Sequence, residues 1–243
     1  LTTGKSILTP REIPDLVDYH GFFKNGFVSI LRRCLRKDEM FMRQIQREFR
    51  AQLETALRLK VNLDHMNGER HVQMIPGIFE IAARLAREYN IPWIRISDEP
   101  YYPTRSYAID FRPFVNGHIV KKILLSWLAE PCRKTASVHE VSFPEHYFGV
   151  LHTWDFPRAA LRAILSRHFK GPVEIAFHPA YPPHAAFQPH RFQGMKSFMA
   201  HPGRGRELDI LTDPSTKDLI TQPGYQLVNY SQCSRSACGS QGG

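Results

Sequence analysis

The stretch KVNLDHMNGERHVQMIPGIFEIAARLAREYNIPWIRI, residues 60–96, decides how this chain folds. Val61 and Leu63 alternate with polar neighbours and suit a short strand ending near Met66 or Asn67. Pro76 stands where the first turn of a helix accepts it, and Ile78, Phe79, Ala82, Leu85, Ala86 and Tyr89 follow as one apolar stripe. IPWIRI, residues 91–96, is then a second buried strand. A helix lying between two strands is the connection that parallel pairing requires.

The same alternation continues on both sides. Ile45, Phe49, Leu53 and Ala56 or Leu57 predict an amphipathic helix over 39–59. Beyond a loop at 98–114 rich in Pro and Tyr, Ile119, Val120, Ile123, Leu124, Trp127 and Leu128 mark a third helix. HYFGVLH (146–152) reads as a strand, 157–169 as a helix, and PVEIAFHP (172–179) as a strand. Strand, loop and helix thus recur without any internal sequence repeat, which implies an α/β fold with a parallel sheet covered by helices, either a barrel or a doubly wound sheet.

With 243 residues, 42% of them apolar and 23% charged, the chain can bury one sizeable core. Residues 1–222 form the expected domain, and the small polar residues of 223–243 a disordered tail. No apolar run is long enough for a membrane span and no signal-peptide order opens the chain, so a cytoplasmic protein is expected. Cys34, Cys132, Cys233 and Cys238 lack C-x-x-C spacing and read as reduced thiols. The formal charge of +9 raises nucleic acid as a partner, but apart from RRCLRK (32–37) the basic residues are dispersed and no recognition motif accompanies them. A solvated basic face accounts for them, and no nucleic-acid partner is expected. A homodimer is compatible with the sequence.

In a barrel or a doubly wound sheet, working residues gather at the carboxyl ends of strands. Asn67, Glu69 and His71 fall there, after the strand at 61–66. If that segment is extended, Glu69 and His71 point the same way and are plausible ligands for a divalent cation; a polar turn stabilised by Asn67 and Gly68 explains the same residues. His178 ends its strand ahead of Pro179 and is either a hydrogen-bonded core histidine or a general acid. Arg95, a charge within WIRI, must be paired or face a cavity. His184, His190 and His201 read as surface residues, and Tyr101, Tyr102, Trp154 and Tyr181 as loop aromatics able to stack on a sugar or to pack as rim residues. There is no phosphate-binding glycine loop and no nucleophile elbow, so nucleotide-driven and serine-hydrolase mechanisms lack their parts.

Four stretches resemble the YdjC-like carbohydrate deacetylases. They are LTTGKSIL (1–8), EFRAQLETALRLKVNLDHMNGERHVQMIPGIFEIAARLAREYNIPWIRI (48–96) with its E-x-x-x-Q helix, VEIAFHPAYP (173–182) and RGRELDILTDPSTKDLI (204–220). The resemblance implies a deformed (β/α) barrel and hydrolysis of the acetamide of an N-acetylated amino sugar, in an oligosaccharide or a glycolipid. A divalent metal would polarise the carbonyl and activate water. By resemblance His178 is the catalytic acid or oxyanion stabiliser, Arg95 and Asn67 serve substrate binding, and Glu69 and His71 are metal ligands.

Two departures stand against the pattern. Glu69 replaces a motif histidine, Asn67 the motif aspartate and Gln73 a later histidine, which shifts the expected ion toward Mg²⁺, with Zn²⁺ or Mn²⁺ as alternatives. The family's amino-terminal aspartates and G-[LV]-H-L histidine would precede Leu1, so the barrel is expected to be N-terminally truncated and this chain alone inactive. The rival reading is a non-catalytic sugar-binding relative.

Overall fold

A computed structural model describes residues 1–101, 117–181, 200–221 and 224–233. The chain divides into two compact units, Leu1–Ile96 with Leu128–Phe143, and Ser97–Trp127 with Pro144–Gly243.

In the first unit, helix α1 (Phe27–Leu35) precedes α2 (Glu39–Arg58), whose Asp38 cap accepts the Phe41 N–H at 3.1 Å. The buried face of α2 differs from the expected stripe: Phe41, Gln44, Ile45, Glu48 and Leu53 are buried, whereas Leu57 is 43% exposed. Polar side chains sit on that face because the backbone of residues 7–15 needs them. Glu48 accepts the N–H groups of Ile7 and Leu8 at 2.9 and 3.0 Å and a Gln52 amide proton at 2.8 Å, while Gln44 accepts the Asp15 N–H at 2.9 Å.

Strand β1 (His65–Met66) pairs in parallel with β2 (Trp93–Ile94), in register His65 to Trp93 and Met66 to Ile94. A parallel bridge from Trp93 to Ser142 extends the ladder by one position. Helix α3 (Pro76–Glu88) connects the two strands and buries Ile78, Phe79, Ile81, Ala82, Ala83, Leu85 and Ala86. This is the strand, helix, strand order that residues 60–96 predict, with two-residue strands where 61–66 and 91–96 were expected.

Helix α4 (His118–Val138) is far longer than the predicted third helix and runs through Pro131. Apolar spacing carries it on: Leu128, Ala129, Cys132 and Ala136, all in the first unit, are buried. No helix among the described residues is long and apolar enough to cross a membrane.

In the second unit, β3 (His146–Phe148) pairs in parallel with β4 (Val173–Ile175), and α5 (Arg158–Leu165) lies between them in the chain. Phe148, Leu151, Phe156, Leu161, Ile164 and Ile210 build its core. Two closing helices, α6 (Gly203–Thr212) and α7 (Pro214–Ile220), meet at Asp213, which caps α7 through the Ser215 N–H at 2.8 Å and takes Arg158 at 2.6 Å.

Both strands of this pair are shorter than predicted, and the cause is chemical. After Phe148 the buried Glu99 carboxylate accepts the N–H groups of Gly149, Val150 and Leu151 at 3.3, 2.8 and 2.8 Å, which ends the ladder. After β4 the Ala176 N–H still reaches the Phe148 carbonyl at 2.9 Å, and the His178 N–H turns to Glu207. Residues 224–233 include a 3-10 turn at Tyr230–Gln232 capped by Asn229.

Candidate functional site

The first unit holds a cavity of about 390 Å³. Phe49, Leu53, Val72, Ala82 and Ile94 supply apolar wall, and Gln52, His65, Asn67, Glu69 and Gln73 supply polar groups. It lies where β1 ends, and Asn67 and Glu69, which follow that strand, are part of its lining. His71 and Arg95 stand outside that lining.

The segment following β1 is not extended. Residues Glu69–Met74 form a 3-10 turn in which Arg70 (φ 53°) and His71 (φ 60°) take left-handed backbone, costing roughly 1–2 kcal/mol apiece for side chains with a Cβ. The two-residue alternation that would aim Glu69 and His71 the same way therefore does not apply to this backbone. His71 is half-buried, and its N–H donates to the Gly68 carbonyl at 3.1 Å. Glu69 is exposed and accepts the Thr2 hydroxyl at 2.8 Å and the Thr3 hydroxyl on its other oxygen.

Carboxylate and imidazole are suitable donor types for a divalent cation, and a carboxylate that accepts two hydroxyl bonds keeps lone pairs to spare. They are two donors, however, where a catalytic centre takes about three from the protein. Among the described residues no group of three or more His, Cys, Asp or Glu side chains is gathered closely enough to hold a metal ion.

Gln73 shapes the cavity floor. It is 2% exposed, its side-chain carbonyl accepts the Gly68 N–H at 3.1 Å and its amide reaches the Arg95 carbonyl at 3.4 Å. Arg95 in turn donates its own N–H to Met66 at 2.9 Å, so its backbone is part of the strand ladder. A Cβ on Gly68 would stand 2.6 Å from Gln73 Oε1 and 3.1 Å from the Gln73 nitrogen. Gly68→Ala is accordingly expected to destabilise the protein by about 1–2 kcal/mol, read as a lower urea midpoint, because Gln73 must abandon its bond.

His65 lines the cavity and is held at Nδ1 by the Asp64 carboxylate at 2.7 Å. Sequence reading passed over this pair, although a carboxylate beside a histidine at a strand end was its visible signal.

His178 belongs to the second unit, three residues beyond β4, and is half-buried with Nδ1 inside. Its N–H donates to Glu207 and its carbonyl accepts from Arg204 Nε at 2.8 Å. Glu207 is fully buried and also accepts the Phe156 N–H at 3.0 Å. Burial pushes its carboxyl above the ordinary value of 4.5, outweighing the two N–H bonds and Arg204, which pull it down, while Asp155 adds to the rise. Such a group contributes stability that is full below its unfolded value and is lost as pH rises through the raised folded value. Glu207→Gln should flatten that decline, read from urea midpoints between about pH 4 and pH 7.

Nearby, Trp154 lies 5.8 Å from His201, ring centre to ring centre, and His118 Nδ1 donates to the Leu151 carbonyl at 3.1 Å. Burial first, and then Lys121 and His201, hold the His118 imidazole below its usual range. Tyr101 and Tyr181 are exposed; Tyr102, His184 and His190 lie outside the described residues.

The chain is 26% identical to a carbohydrate deacetylase of Thermoanaerobacter pseudethanolicus, over 95% of this chain and 74% of that one. It is 25% identical to a carbohydrate deacetylase of Brevibacillus brevis, over 96% and 75%. Its fold is similar to that of a crystal structure from Enterococcus faecalis described as a cellobiose-phosphate cleavage protein, with a TM-score of 0.61 and 22% identity over 95% of this chain and 74% of that one. The family model described as YdjC-like protein matches residues 1–222, and the chain belongs to the YdjC-like family.

Proposed function

We propose that this protein is a carbohydrate N-deacetylase that hydrolyses the acetamide of an N-acetylated amino sugar in an oligosaccharide or glycolipid. Relatives named carbohydrate deacetylases support the reaction class. The observation that carries the reading is the cavity at the end of β1, whose size is that of a small-ligand pocket and whose wall combines apolar surface with amide, imidazole and carboxylate groups. A sugar presents that same mixture, apolar ring faces and a rim of hydroxyls.

The reaction adds water across the amide: the C–N bond breaks, acetate departs, and the sugar nitrogen takes a proton. In this reading His178 supplies that proton or stabilises the oxyanion, and Asn67 and Arg95 serve the substrate. His65, oriented by Asp64, is a further hydrogen-bonding group for the bound sugar. Glu69 and His71 would be two of the donors that a divalent metal, Mg²⁺ before Zn²⁺ or Mn²⁺, needs, and such an ion would supply polarisation of the carbonyl and acidification of water. The two parallel strand pairs are read as parts of a deformed (β/α) barrel.

The test is acetate release from N-acetylglucosamine oligomers, with metal content measured on the same full-length protein and on Glu69→Ala and His71→Ala. The wild type is expected to release acetate and retain metal, and both variants to lose the two together. Saccharide binding with neither metal nor acetate release would replace the enzyme by a sugar-binding relative.

A further inference from the structure

We propose that Arg204 and Glu207 are positioning residues for His178, holding its peptide unit from both sides so that the imidazole stands in one place beyond the end of β4. The deacetylase reading is needed only for what the imidazole then does.

Past Ile175 the chain leaves the strand, and a residue in that position would ordinarily drift with its loop. Here the main chain is gripped instead. The N–H of His178 goes to Glu207, its carbonyl takes Arg204 Nε at 2.8 Å, and the Arg204 carbonyl accepts the Ala180 N–H at 3.2 Å. Arg204 and Glu207 are three apart on α6, hence neighbours on one face of it.

Helix α6 is itself seated closely. A Cβ on Gly203 would lie 2.1 Å from the Trp154 carbonyl oxygen, so the helix start approaches the 154–155 backbone as only glycine permits. Arg206 forms a two-pronged pair with Asp155 at 2.9 and 2.7 Å, and Glu207 holds the Phe156 N–H. The Phe156 ring lies 4.7 Å from that of Phe177, the residue before His178. One helix turn therefore ties segment 154–156 and segment 178–180 to the same body. A carboxylate with no exposed surface is an expensive way to close a loop. It is well suited to fixing a ring whose displacement by about 1 Å would slow a reaction a hundredfold.

Arg204→Met and Glu207→Gln test this, with Arg204→Lys beside them and the His178 ring signal followed by NMR of histidine-labelled protein, identified through His178→Gln. In folded Arg204→Met and Glu207→Gln the ring signal should shift, kcat for acetate release should fall roughly 10- to 100-fold, and KM should stay within about twofold. Arg204→Lys should recover most of the loss, since it returns a donor. A His178 signal unmoved in the folded variants, or a moved signal with kcat unchanged, overturns the proposal. If Glu207→Gln does not fold, the half-exposed Arg204 decides through Arg204→Met. Should the wild type release no acetate, the deacetylase reading falls alone, and the ring signal still settles whether Arg204 and Glu207 place His178.

Discussion

Glu99→Ala is expected to cost the fold about 3–9 kcal/mol, because it strips the acceptor from three buried N–H groups worth roughly 1–3 kcal/mol each. Glu99 is 1% exposed, and the residues it serves, Gly149, Val150 and Leu151, are buried as well. The backbone has little room to seek other partners. Gly149 has φ 124°, and a Cβ there would stand 2.7 Å from the Ala176 carbonyl oxygen, so the turn is pressed against the residue that follows β4. Urea unfolding measures the loss; one below about 1 kcal/mol would mean that water replaces the carboxylate. Glu99→Gln should fall between, since its amide keeps one acceptor and turns a donor toward the remaining N–H groups.

His178→Gln should lower kcat for acetate release about 10²- to 10⁴-fold, the range lost with a general acid. The protein should remain folded, because the ties to Glu207 and Arg204 at this position are made by the main chain, which glutamine also provides. KM should change little if the imidazole acts mainly in the transition state. A decrease below about tenfold would return His178 to the core-histidine reading.

Much of the architecture was legible in residues 60–96. Pro76 and the stripe from Ile78 to Ala86 mark α3 unambiguously, and strands flanking such a helix pair in parallel. Apolar periodicity failed where charge was buried. Glu48, Glu99 and Glu207 look like surface residues in a hydrophobic pattern, yet each goes inside to meet backbone N–H groups supplied by distant segments. Strand lengths were overestimated at 146–152 and 172–179 because these same acceptors end the ladders. The helix marked by Ile119 to Leu128 runs on through Pro131, because Leu128, Ala129, Cys132 and Ala136 continue its buried face. Strand-end logic points to Asn67 and Glu69, which line the cavity, whereas the left-handed backbone of Arg70 and His71 carries no signal in residue type.

The three buried glutamates also bear on how such a chain can vary over generations. What they hold is main chain, so Ile7, Leu8, Val150, Leu151 and Phe156 can trade their side chains without loosening the grip. The glutamates have no such latitude. Aspartate is a methylene too short to span two amides, and glutamine sets a donor against a donor. Drift in sequence is thus tolerated by the loops and refused by the helix and strand-end positions that anchor them.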